Sequence, residues 1–106
     1  MSQQEIERLQ HIESSLSQTI SQKQGYQQYL HDIETALGEL GDTREAYQIV
    51  GTIMVKKSSD NIRNNLEERK TIYSKRLDAL KRQENMLREE ARKLQDSTLD
   101  SLNRNG

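Results

Sequence analysis

Apolar residues recur three and four apart through the first forty positions, with polar residues filling the gaps. With Leu9 at heptad position a, the a positions are Leu9, Leu16, Lys23, Leu30 and Leu37, and the d positions are Ile12, Thr19, Tyr26, Ile33 and Leu40. Eight of these ten are apolar, which predicts a coiled-coil helix with one narrow seam. The second half repeats the pattern with Leu66, Tyr73, Leu80, Leu87 and Leu94 seven apart, alternating with the weaker Arg63, Lys70, Leu77, Glu84 and Ala91. Pairs such as Asp78/Arg82, Glu84/Arg88 and Glu89/Lys93 are placed to add i,i+4 support on the exposed face.

Between the two heptad runs the period changes. Gly38, Gly41 and Asp42 cluster where the first helix can end, with Gly41 as a left-handed cap. The following Ala46–Val55 is rich in β-branched residues and split by Gly51-Thr52, which predicts a β-hairpin with its turn at the glycine. Ser58 or Ser59 can then cap the second helix, with Asp60 in its first turn. The predicted fold is mainly α: a long antiparallel two-helix coiled coil with one hairpin between the helices. It forms one domain over 1–106, with helices at 1–41 and 59–100, the hairpin at 46–56 and a flexible tail at 101–106. Each helix of about 40 residues spans roughly 60 Å. Folding back can pair Leu9 with Leu94, Leu16 with Leu87, Leu30 with Tyr73 and Leu37 with Leu66, all centred on the Gly51–Thr52 bond, while the heptad also permits registers displaced by seven residues.

Composition agrees with a seam and argues against a large core. Only 31% of the residues are hydrophobic, 31% are charged, and the chain has no Pro, Cys, Trp or Phe. The lack of cysteine removes thiol nucleophiles, disulfides and thiolate metal sites. His11 and His31 fall outside the seam and are read as solvated, so no metal or cofactor is called for, and nothing supports an enzyme. The formal net charge is −1, but residues 1–50 hold 3 basic and 8 acidic side chains while 51–106 hold 13 and 9. The halves therefore attract. No stretch reads as a secretion signal or a membrane span, so a cytoplasmic protein that binds neither membrane nor nucleic acid is expected. The basic second helix leaves nucleic-acid binding as a rival reading, and a plain tethering coiled coil as another.

The hairpin is the part that demands a partner. Tyr47, Ile49, Ile53 and Val55 are read as one face, and Ala46, Val50 and Met54 as the other. A hairpin apolar on both sides is unstable alone and exposes unpaired edges. Ala46, Tyr47, Ile49, Val50, Gly51, Ile53, Met54 and Val55 are thus the candidate assembly site. A second candidate lies where the termini meet, at Ile6, Leu9, Ile12, Leu94, Leu99 and Leu102, whose apolar surface the seam covers poorly. Thr19, Lys23, Gly25 and Glu84 weaken the middle of the seam, either as a joint with Gly25 interrupting the helix or as a polar layer that fixes register.

Two stretches also carry a resemblance. Tyr47-Gln48-Ile49-Val50-Gly51-Thr52-Ile53-Met54-Val55-Lys56 and Arg76-Leu77-Asp78-Ala79-Leu80-Lys81-Arg82-Gln83-Glu84 resemble β-type prefoldin subunits, archaeal ones most nearly. The similarity runs from about Leu9 to Leu94, and the Tyr-x-x-Val-Gly hairpin is its most specific part. The resemblance implies an ATP-independent co-chaperone of the cytosol, a hexamer of two α and four β subunits with a double β-barrel body. It further implies coiled-coil tips that hold unfolded proteins, here at Ile6, Leu9, Ile12, Leu94, Leu99 and Leu102, and pass them to a group II chaperonin.

Overall fold

The computed structural model describes residues 2–105, with side chains through Asp100. Helix α1 runs Gln3–Leu40, strand β1 Glu45–Val50, strand β2 Ile53–Ser58 and helix α2 Ser59–Asn105. Each boundary has a local cause. Ser2 accepts the amide of Glu5 at 3.1 Å on its hydroxyl and starts α1. Gly41, at φ +44°, ends α1 with its amide on the carbonyl of Leu37, a conformation costly for a residue with a Cβ. Of the two candidate caps for α2, Ser58 takes the role, its hydroxyl accepting the amide of Asn61 at 3.3 Å.

Four local expectations are corrected. Gly25 does not interrupt α1: the helix passes through it without a break, because a single glycine costs only about 1 kcal/mol against alanine. The backbone of α2 stays helical beyond residue 100, through Asn105, since no proline or glycine intervenes there. Glu89 pairs with Arg92 rather than Lys93, and Asp78 makes no ion pair with Arg82 among the described residues.

The chain forms two compact units. The first contains α1 through Gln24 and α2 from Asp78 onward. Its helices are antiparallel: Thr98 donates to Glu5 at 3.4 Å and Gln83 donates to Thr19 at 3.2 Å. Ile12, Thr19, Leu80 and Glu84 are its buried seam positions. The second unit, Gly25–Leu77, holds the hairpin and the adjoining helical segments. Ile33, Leu40, Ser59 and Leu77 are buried there, and Arg63 on α2 donates to the carbonyl of Gly41 at 2.6 Å.

The hairpin register pairs Val50 with Ile53, Ile49 with Met54, Gln48 with Val55 and Tyr47 with Lys56. Gly51 at φ +62° and Thr52, without a positive φ, form the two-residue turn with glycine in its first central position. The hairpin pairs and the Thr98–Glu5 contact are all centred on that turn.

This register gives a direct expectation. Cysteines replacing Leu16 and Leu87 should crosslink within one chain on oxidation, whereas Leu16 with Leu94 should not, being a heptad farther along the seam. Electrophoretic mobility under non-reducing conditions distinguishes the two, and the reverse preference would reject the register.

Candidate functional site

A two-residue turn joins strands so that an odd-numbered residue faces an even-numbered one, and facing residues share a side of the sheet. Tyr47, Ile49 and Met54 therefore occupy one face together with Lys56, while Ala46, Val50, Ile53 and Val55 occupy the other together with Gln48. This corrects the faces read from the sequence: Ile53 and Val55 change sides, and so does Met54. The error came from alternating along each strand while ignoring how the turn pairs them.

Both faces remain strongly apolar, and both are open. Exposure of the larger apolar side chains runs from 37% at Val55 to 71% at Ile49, with Tyr47, Val50, Ile53 and Met54 between. Only Ala46, near the base, and Gln48, in the middle of β1, are half-buried, and Ala46 and Tyr47 line a shallow recess with Ala36, Leu40, Ile62 and Leu66. Lys56 pairs with Glu45 at 3.0 Å, so that charge is answered within the ribbon. Among the described residues no third strand pairs with either edge. Each large aliphatic side chain buried by a partner would contribute about 1.5–3 kcal/mol.

The second candidate separates into buried and open residues. Ile12 is buried in the seam, and Leu9 and Leu94 are half-buried. Ile6 and Leu99 are exposed, Leu99 strongly so. The side chain of Leu102 lies outside the described residues. The seam partner at this level is Thr98, whose hydroxyl also donates to the carbonyl of Leu94 at 3.0 Å.

The weak part of the seam is a connected polar layer. Lys23 donates to Glu84 at 2.7 Å, and Arg88 reaches the other carboxylate oxygen at 3.4 Å. Thr19, almost fully buried, donates to the carbonyl of Ser15 at 2.8 Å and accepts from Gln83. The hydrogen bond from Lys23 holds the Glu84 carboxyl below its ordinary range, against desolvation, with further help from Arg88. Sequence reasoning placed Lys23 and Glu84 together in a weak stretch of seam, read as a joint or a register-fixing polar layer, without pairing the two. Opposite charges on neighbouring antiparallel layers were the signal that joins them.

A cluster of three tyrosines was also missed. Tyr26 and Tyr73 lie in the seam with ring centroids 5.6 Å apart, and Tyr29 packs on both from outside it. Among the described residues no group of three or more His, Asp or Glu side chains could hold a metal ion, and no helix is long and apolar enough to cross a membrane.

Comparison with known proteins agrees with this arrangement. A family model described as a prefoldin subunit matches residues 3–103. Similar proteins include prefoldin subunit beta of Caldivirga maquilingensis, 30% identical over 101 residues that cover 92% of this chain and 84% of that one. Prefoldin subunit beta of Archaeoglobus fulgidus is 36% identical over 87 residues, 79% of this chain and 75% of that protein. The crystal structure of the prefoldin beta subunit from Thermococcus strain KS-1 superimposes with a TM-score of 0.85 at 31% identity, covering 94% of this chain and 90% of that chain.

The polar layer yields a pH expectation. Since the folded chain lowers the Glu84 pKa, the unfolded chain binds that proton more readily. The pair's contribution is full above about 4.3, the ordinary glutamate value, and fades as pH falls through the lower folded value. Lys23→Met should therefore melt below the wild type near neutrality, with the gap closing in acid as Glu84 protonates. Thermal melts followed by circular dichroism across that range check this; a gap independent of pH would mean that the pair contributes nothing.

Proposed function

Because the chain belongs to the prefoldin subunit family, we propose that it is the β-type subunit of an ATP-independent cytoplasmic co-chaperone. In this reading it joins other β subunits and α-type subunits, two α and four β, through its hairpin, and the hairpins close a β-barrel body. The observation that carries the reading is the open hairpin: five large apolar side chains more than half exposed, on both faces of a two-stranded ribbon with free edges. A soluble chain does not keep such a surface uncovered. Edge-to-edge pairing satisfies the edges, and packing between ribbons buries the faces.

The working end in this reading is where the termini lie. Ile6 and Leu99 offer exposed apolar surface, flanked by the half-buried Leu9 and Leu94. One such end grips weakly. Several held in one particle act together through effective concentration, which suits an unfolded client with many short apolar segments. Release to a group II chaperonin completes the cycle and requires no chemistry of this chain.

Two outcomes test the proposal. Ile53→Lys, or Val50→Asp on the same face, should shift native mass from the assembly reconstituted with an α-type subunit to small species, with helical circular dichroism retained. An unchanged mass would show that the hairpin is not the joint. Truncation after Gln95 combined with Ile6→Ser should instead leave the assembled mass intact and abolish most suppression of client aggregation. Full suppression by that variant would place client binding elsewhere.

A further inference from the structure

On α2 the nine residues Arg69–Leu77 include Arg69, Lys70, Lys75 and Arg76 and no carboxylate. None of these four cations has an ion-pair partner among the described residues. Nor does α1 supply an ion-pair partner: Ser14–His31 contains no acidic residue, and Asp32 and Glu34 just beyond it form no ion pair with these cations among the described residues, Asp32 accepting instead from Gln28 at 2.9 Å. Arg69, Ile72, Lys75 and Arg76 are spaced three and four apart, so they share one side of the helix. Ile72 sits among the three cations and is 49% exposed. Beside it in the fold stands Tyr29, 55% exposed, its ring fixed against Tyr73 at 5.7 Å and Tyr26 at 6.1 Å. Arg76 donates to the Tyr26 hydroxyl at 3.2 Å and ties the cationic side to the rings.

We propose that this flank of the Gly25–Leu77 unit is a docking surface for an acidic segment of another polypeptide, anchored by an apolar side chain set among its carboxylates. Charge complementarity selects the occupant: three unpaired cations surround an aliphatic side chain, and their mirror image is carboxylates surrounding one. The tyrosine rings are held before binding, so little rotamer freedom is lost when a partner packs on them. A nucleic acid fits less well. The basic stretch is only about 13 Å long, and Glu67, Glu68 and Asp78 bound it and would repel a continuous run of phosphates. The three rings are tilted or edge-on to one another and offer no set of parallel faces for successive bases. This inference does not rest on the chaperone reading, because its test measures binding by the chain itself in whatever assembly it forms.

The probe is a short fluorescent helical peptide of glutamate and alanine with one central leucine, titrated onto the full-length protein by anisotropy. The expected result is binding that weakens with added salt and falls about tenfold in Arg69→Gln/Lys75→Glu and about tenfold in Ile72→Ser. All three positions are exposed and outside the seam, so helical circular dichroism should be unchanged. The milder Lys75→Gln and the salt dependence of the wild type read the same contact if the charge reversal perturbs folding. Several results would overturn the proposal: unaltered affinity in the variants, equal binding of the peptide with serine for leucine, or oligothymidylate binding tighter than the peptide. A native mass that drops in Lys75→Glu would overturn it too, since a second copy of this chain would then be the occupant.

Discussion

Each helix has one narrow apolar stripe, and the other helix consumes it. Among the described residues, the large apolar side chains buried by the fold are Ile12, Ile33, Leu40, Leu77 and Leu80, and all lie on the seam. A period of seven permits nothing wider. Because the stripe is used within the chain, the helices cover the hairpin only at the shallow recess by its base. The exposure of Tyr47, Ile49, Val50, Ile53 and Met54 thus follows from the narrowness of the seam. A globular domain would have bent the ribbon onto its core; here there is no core to receive it.

The seam also explains why its polar positions are tolerated. A lysine among leucines would be costly if left without a partner, but Lys23 meets Glu84 and the carboxylate meets Arg88 as well. Thr19 answers its own hydroxyl through Ser15 and Gln83. An apolar heptad slips by seven residues at little cost, whereas slipping this layer would strand two charges. Polar seam residues in this setting favour one alignment over its neighbours more than they add strength.

Much of this was legible in the sequence because it depends on period. The seam positions from Leu9 to Leu40 and from Leu66 to Leu94, the cap at Gly41 and the turn at Gly51-Thr52 follow from spacing and residue type alone. What depends on pairing was harder. The faces of the hairpin turn on whether the loop has two residues or three, and strand alternation alone does not carry that information. Lys23 and Glu84 are 61 positions apart, and their meeting emerges only once the antiparallel alignment is applied to side chains. Tyr29 belongs to neither a nor d, so a seam reading passes over it, yet its ring flanks the seam and joins the aromatic cluster. Glu89 chose Arg92 over Lys93, since either spacing lies within reach on a helix and periodicity does not rank them.

The two-residue turn has a consequence for the order in which protection arrives. Gly51 keeps β1 and β2 locked together, so the chain enters any edge-paired sheet as a ready-made ribbon with one free edge on each side. Adding a ribbon to an open sheet covers one edge and brings another. An incomplete sheet of any size therefore presents the same two sticky margins as the solitary chain, and growth by itself does not lessen the hazard. Only closure removes both margins at once. In an assembly of the kind proposed, the subunit that closes the sheet would do more for solubility than any that joined before it.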